Sequence, residues 1–324
     1  MSARLVRVEL TRFRWRRAVL ALLVLAIVVP ALIAASRVWS TRPVSQSDLD
    51  NAAQNGSSEI QRCEKHPQQY GVRPAVAETR CTDLIVGWYT GREQLTMAGE
   101  REGGSGMAVV AVLTAFLLLA GTTFVGHDWN TGSMSNQLLF EARRGRVWLA
   151  KGLAVTLAAL VVATVVSMAY WLTIWATVKS RDLPMADNAL TDSLAYGMRG
   201  ALFATAAALG GYALTMLFRS TVATIGVLFG VSIAGGIILA TLGIGDQWQP
   251  QKNVSAIVKN GTMYYVDVPD SCFVGASQMK EPEPDSECDQ YRDLSLWHGV
   301  AYYGVALAVT AGASVASFRR RDVP

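Results

Sequence analysis

Two groups of residues in this chain have the types and spacing for chemistry or partner binding. Cys63, Cys81, Cys272 and Cys288 are its only cysteines, and an even count suits disulfides in an oxidising compartment. Four cysteines allow three pairings. Cys63–Cys81 and Cys272–Cys288 are the simplest, each closing a short loop. Metal binding is the competing use, but there is no Cys-x-x-Cys spacing and no histidine cluster to support it. The second group lies in residues 126–151, GHDWNTGSMSNQLLFEARRGRVWLAK. Thr131 or Ser133 can cap a helix there. Met134, Leu138 and Leu139 then form an apolar edge at helical spacing, followed by Arg143, Arg144, Arg146 and Lys151. A short helix with an apolar knob framed by charge can seat in a groove of another protein. It can also simply lie on a bilayer surface. On the docking reading, Met134→Asp or Leu138→Asp abolishes coupling while the chain still inserts.

Several chemistries are excluded. Only six lysines occur and none follows a glycine, so the Gly-Lys-Ser/Thr phosphate cradle of a nucleotide-hydrolysing loop is absent. There is no HExxH and no GxSxG. The chain is read as a non-enzyme without a cofactor or metal of its own.

The elements that must carry these residues are set by composition. The 324 residues are 51% hydrophobic and only 17% charged, against about 25% charged in soluble domains. A bilayer core needs roughly 20 apolar residues in helix, and six stretches qualify: Ala18 to Trp39, Met107 to Gly126, Gly152 to Val178, Gly197 to Phe218, Thr221 to Gly243 and Leu296 to Phe318. Arg219 and Ser220 alone separate the fourth from the fifth, which predicts a tight helical hairpin. The fold class is therefore an all-α polytopic membrane protein of six transmembrane helices with an N-terminal amphipathic helix. The span interiors contain no Asp, Glu or Lys, which disfavours an ion-driven carrier. Arg199 and His298 lie near span ends, where snorkelling to water accounts for them. The first apolar run is too long for a signal peptide.

Lysine and arginine orient the spans. Six spans put both termini on one side, which holds fourteen basic and four acidic residues; the other side holds fifteen and twenty-one. That assigns both termini to the cytoplasm of a plasma-membrane protein and places all four cysteines outside. The basic excess is thus a topology signal, and nucleic acid is not an expected partner. The outer loops fall at 40–106, 179–196 and 244–295. The first reads as a mostly helical or irregular cap. In the third, Ser255 to Val268 with Asn260-Gly261 between apolar halves predicts a β-hairpin. The acidic run Glu281 to Glu287 reads as a solvated loop rather than a cation site.

Within residues 1–17, Val6, Leu10 and Phe13 share one face of a short basic helix, with Arg4, Arg7 and Arg14 elsewhere on the wheel. It is expected to lie in the membrane interface, touching anionic lipid, a cytoplasmic partner or both. Tyr170, Trp171, Trp175 and Trp297 fall at outer span ends; they anchor at the interface or line a path for an apolar or cationic substrate. Small residues recur every fourth position in Gly200-Ala204-Ala208, Gly226-Gly230-Ala234 and Gly304-Ala308-Gly312, which lets helices approach closely, within one subunit or between two.

The 126–151 pattern resembles the permease subunits of type-2 ATP-binding-cassette exporters. Their second span is followed by an acidic residue, a Gly-Thr-like pair, an apolar helix, a basic pair and a lysine opening the third span. Here these positions are Asp128, Thr131-Gly132-Ser133, Met134 to Phe140, Arg143 and Arg144 with Arg146, and Lys151. The tail Phe318-Arg-Arg-Arg-Asp322 is similar too. The resemblance implies a dimer of permease subunits, here a homodimer, around a central path. Two separate ATPase subunits would carry ATP and Mg. The 128–146 segment would be a coupling helix seated in the ATPase, beside a connecting helix bearing Arg7, Leu10, Phe13 and Arg14. Compact members of the family lack a large first outer loop, so the substrate analogy is not close. A path without charges suits an amphipathic or apolar substrate such as a drug, lipid or peptide. Two other classes compete: a membrane sensor or accessory protein whose outer cap binds a ligand, and an assembly subunit without transport.

Overall fold

A computed structural model describes residues 3–241, 245–274, 278–279 and 288–320. The chain is mostly helical, and six helices are long and apolar enough to cross a membrane. α1 (Ala3–Trp15) precedes the first of these, α2 (Arg17–Ser40). α3 (Gln46–Asn55), α4 (Ser57–Lys65), α5 (Ala77–Thr90) and α6 (Met97–Glu102) fill the first long connection. α7 (Gly106–Asn130), α8 (Ser133–Phe140) and α9 (Arg144–Ser180) follow, then α10 (Ala189–Phe218) and α11 (Thr221–Thr241). α12 (Pro250–Lys259), four short strands and α13 (Leu296–Arg320) complete the fold. The strands β1 (Thr262–Tyr265) and β4 (Tyr291–Leu294) pair antiparallel, as do β2 (Phe273–Val274) and β3 (Gln278–Met279).

The six expected spans match α2, α7, α9, α10, α11 and α13, with α9 starting a full two turns earlier than its apolar run. Gly243, the expected end of the fifth span, lies outside the described residues, as do Glu281 to Glu287, Arg321 and Asp322. The tight hairpin is present: Arg219 ends α10 in the left-handed region at φ 58° and α11 begins two residues later.

Packing centres on α7, α9 and α10. Gly121 of α7 sits against the backbone of α10, where a Cβ would strike the Ala208 carbonyl. The Gly200-Ala204-Ala208 face is thus used inside the chain, against α7. The other two small-residue faces are exposed, and nothing lies within 4 Å of a Cβ built at Gly226, Gly230, Gly304 or Gly312. α11 keeps only Thr224 buried among its described side chains.

Two expectations are corrected. The Asn260-Gly261 pair does not turn a hairpin. Asn260 closes α12 at φ 68°, and Gly261 N–H donates to the Ala256 carbonyl at 2.8 Å. Asn-Gly supplies positive φ equally well to a helix C-cap, and β1 pairs instead with the distant β4. Tyr170 and Trp171 are core residues rather than outward anchors: Trp171 stacks edge-on against Tyr196, and the Tyr170 hydroxyl lies 2.7 Å from that of Ser105. Trp297 alone of the four is largely exposed. Arg199 is half-buried, and its Nε donates to the Val258 carbonyl at 2.9 Å.

The α3–α6 segment is helical, and Cys63–Cys81 joins α4 to α5 while Cys272–Cys288 closes the later loop. Both within-loop pairings hold. Ser45 and Asp48 form a reciprocal capping box at the start of α3, and Arg92 reaches Asp48 at 2.9 Å. Hydrogen bonds from the Ser45 hydroxyl and backbone, then from Arg92, lower the Asp48 pKa from 3.8 to about 2. A depressed carboxylate contributes stability that is present above its unfolded value and lost as pH falls through its folded one. The cap of α3 should therefore persist down to 3.8 and fail toward about 2. A titration of the Asp48 carboxyl resonance should show that low midpoint, raised more by Ser45→Ala than by Arg92→Ala; a midpoint near 4 in the unmodified chain would contradict the box.

Candidate functional site

The arginine-rich end of the bundle gathers α1, α8 and the neighbouring ends of α7 and α9 around a buried ionic cluster. α1 turns Val6, Leu10 and Phe13 toward the bundle, Val6 and Leu10 half-buried and Phe13 buried, and the Phe13 ring meets Phe124 edge-on at 5.1 Å. Its exposed residues are Arg4, Arg7, Val8, Thr11, Arg12, Arg14 and Trp15. The helix breaks at Arg16, whose backbone is extended at φ −81°, ψ 117°.

Glu9 lies on the inward face, at i+3 from Val6 and i−4 from Phe13, and is fully buried. So are Asp128 and Lys151. The Lys151 ammonium bridges them, 2.9 Å from Glu9 Oε2 and 2.6 Å from Asp128 Oδ2. Asp128 Oδ1 accepts from the Arg16 guanidinium and from Ser133 Oγ at 2.6 Å. Arg16 also donates to the Phe124 carbonyl at 2.5 Å and lies over its ring. Glu9 Oε1 accepts from Gln137 Nε2 at 2.7 Å. Two carboxylates thus face Lys151 and Arg16, with the more exposed Arg12 3.5 Å from Glu9 Oε1 at the rim, and each carboxylate oxygen is hydrogen-bonded. That is the condition under which charges tolerate burial. With every group engaged, the cluster offers no free base or nucleophile; it holds four helix segments in register.

α8 sits on this cluster. Gly132 precedes it at φ 68°, a conformation that suits glycine. Neither Thr131 nor Ser133 caps it: Thr131 Oγ1 donates back to the His127 carbonyl at 2.8 Å, and Ser133 is taken by Asp128. Met134 is fully buried, which overturns its expected place on an outward edge, and Leu138 is half-buried against the core. An aspartate at Met134 would therefore damage packing rather than uncouple an intact chain. The outward apolar residues are Leu139, 81% exposed, and Phe140, 93% exposed. Arg143 and Arg146 flank them in solvent, with Arg146 4.0 Å from Glu141. Arg144 turns the other way and donates to the Phe318 carbonyl at 3.4 Å.

Asp128, Ser133 and Lys151 therefore belong to the bracing of the site, and Leu139, Arg143 and Arg146 to its exposed surface. Arg7 and Arg14 are among the exposed residues of α1, while Leu10 and Phe13 pack inward. Sequence reasoning overlooked Glu9, Arg16, Gln137 and Phe140. Glu9 carried a usable signal, a carboxylate on the apolar face of an amphipathic helix.

A second ion pair, with a buried carboxylate and a half-buried arginine, closes the opposite, disulfide-bearing end. Arg37 of α2 meets Glu100 of α6 at 2.6 Å, and Ser105 donates to the same carboxylate at 2.6 Å. Between the two ends, a shallow apolar cleft of about 310 Å³ opens between α2 and α9 at Pro30. Among the described residues no group of three or more His, Cys, Asp or Glu gathers that could hold a metal. No known protein family, curated protein or solved structure matches the chain.

Proposed function

We propose that the chain is the membrane-embedded permease subunit of an ATP-driven exporter of the ATP-binding-cassette type, with hydrolysis of ATP with Mg on a separate ATPase subunit. The observation that carries this reading is the exposed Leu139–Phe140 pair on a short helix braced by a buried ionic cluster. An apolar tip on a rigid support is what a helix-in-groove contact uses, and large apolar residues held in water without a partner are costly. The arginines around the tip and on α1 support a cytoplasmic location for this end, through the excess of basic residues on that side. Disulfides at the far end support an outer, oxidising location there. The outward apolar surfaces of α2, α9, α11 and α13 suit lipid as their solvent. The exposed small-residue faces of α11 and α13 suit a second permease copy. A path among such surfaces, without charged residues, suits an amphipathic or apolar substrate.

Mild-detergent affinity purification of the chain from its own membrane, followed by mass identification, tests the reading. A stoichiometric ATP-binding-cassette ATPase is expected. Recovery of the chain alone, or with a kinase or protease, would overturn it and move attention to the disulfide-bonded cap as a ligand sensor.

A further inference from the structure

We infer that Glu9 and Gln137 are positioning residues that tie α8 to α1, so that a displacement of α8 reaches α2 as well as the two helices it joins by chain. The inference rests on the reading of α8 as the helix that takes a push from a partner. Connectivity alone would deliver that push to α7 and α9. The structure adds a third recipient. Gln137, buried on the inner face of α8, donates to Glu9 of α1 at 2.7 Å. The other Glu9 oxygen is held at 2.9 Å by Lys151 of α9. Arg16, at the break between α1 and α2, is held in turn by Asp128 and the Phe124 carbonyl of α7. Both ends of the α1–α2 junction are thereby fastened to the α7–α8–α9 corner.

The choice of residue type argues for a directional role. Val6, Leu10 and Phe13 already supply α1 with an apolar face, and an apolar side chain at position 9 would bury there at no desolvation cost. A carboxylate is stable there only when its partners stand in one arrangement. It therefore fixes the axial and rotational register of α1 against α8 and α9, which non-directional packing does not.

The test uses the full chain in lipid nanodiscs, spin-labelled at Arg7→Cys on α1 and Asn136→Cys on α8. Both positions are exposed. The unmodified pair should give one narrow distance distribution. Gln137→Ala, which leaves Glu9 paired with Lys151, should broaden it over more than one helical turn, about 5.4 Å. The exchange Glu9→Gln with Gln137→Glu restores the donor–acceptor pair with roles reversed and should narrow it again. Gln137→Ala should also lower the stimulation of a bound ATPase about tenfold without changing its affinity, because Leu139 and Phe140 stay exposed. An unchanged distribution in Gln137→Ala, no narrowing in the exchange, or full stimulation despite a broadened distribution would each overturn the inference. If the unmodified chain binds no ATPase, the docking reading of α8 falls, and the distances still decide the tie.

Discussion

Lys151→Met should cost most of the folded protein. The ammonium is fully buried between two fully buried carboxylates, at 2.9 Å and 2.6 Å. Removing it leaves Glu9 and Asp128 close together without their shared cation, and breaking a buried pair in this way costs about 3–5 kcal/mol. Against a total stability of about 5–15 kcal/mol, that is a large fraction. The expected result is a sharp drop in monodisperse protein by fluorescence-detected size exclusion, with a lower thermal midpoint. Arg12→Met serves as the comparison. Arg12 also touches Glu9, at 3.5 Å, but its side chain is 42% exposed, so its loss should cost no more than about 1 kcal/mol. Combining Lys151→Met with Glu9→Leu should recover much of the loss, because Asp128 keeps Arg16 and no bare carboxylate remains on α1. An unchanged midpoint in Lys151→Met would show that the cluster does not hold this end together.

Phe140→Asp should do the reverse: spare the fold and remove the partner. At 93% exposure the side chain has almost no intramolecular packing to lose, and surface substitutions of this kind usually stay within about 0.5 kcal/mol. A buried aromatic anchor at an interface is worth about 2 kcal/mol or more, so ATPase affinity should fall about 30-fold or more. Met134→Asp, on the buried inner face of the same helix, should instead lower folded yield, since it buries an unpaired carboxylate. The two variants measured together, by yield and by co-purification, separate docking from bracing. Equal effects of both on yield would contradict the division of α8 into an inner and an outer face.

Much of the framework is legible in the residues because apolar run length is a strong signal. Six runs near 20 residues give six long helices, and Arg219-Ser220 leaves room for nothing but a turn. The two disulfides are the simplest of the three pairings that four cysteines allow, and the structure forms them. Failures come where one residue type serves two geometries. Asn260-Gly261 satisfies a hairpin or a helix C-cap, and only the distant β4 strand decides between them. Tyr170 and Trp171 belong equally to an aromatic belt or a core until Ser105, Glu100 and Tyr196 are brought beside them. Met134 shares helical spacing with Leu138, but an eight-residue helix shows its outward side only once Asp128 and Glu9 fix its roll. The ionic cluster joins positions separated by 112, 128 and 142 residues, and no local pattern encodes such a meeting. Its one local trace is Glu9 on an apolar face.

The central claim is that the α8 tip, and not its inner face, contacts an ATP-hydrolysing partner. A photoreactive phenylalanine analogue placed at position 140, and separately at 134, tests it in native membranes. Crosslinking from 140 to an ATP-binding-cassette ATPase, with only intramolecular products from 134, is the predicted result. Crosslinking from 140 to lipid alone would contradict the claim and leave α8 as a helix lying on the bilayer.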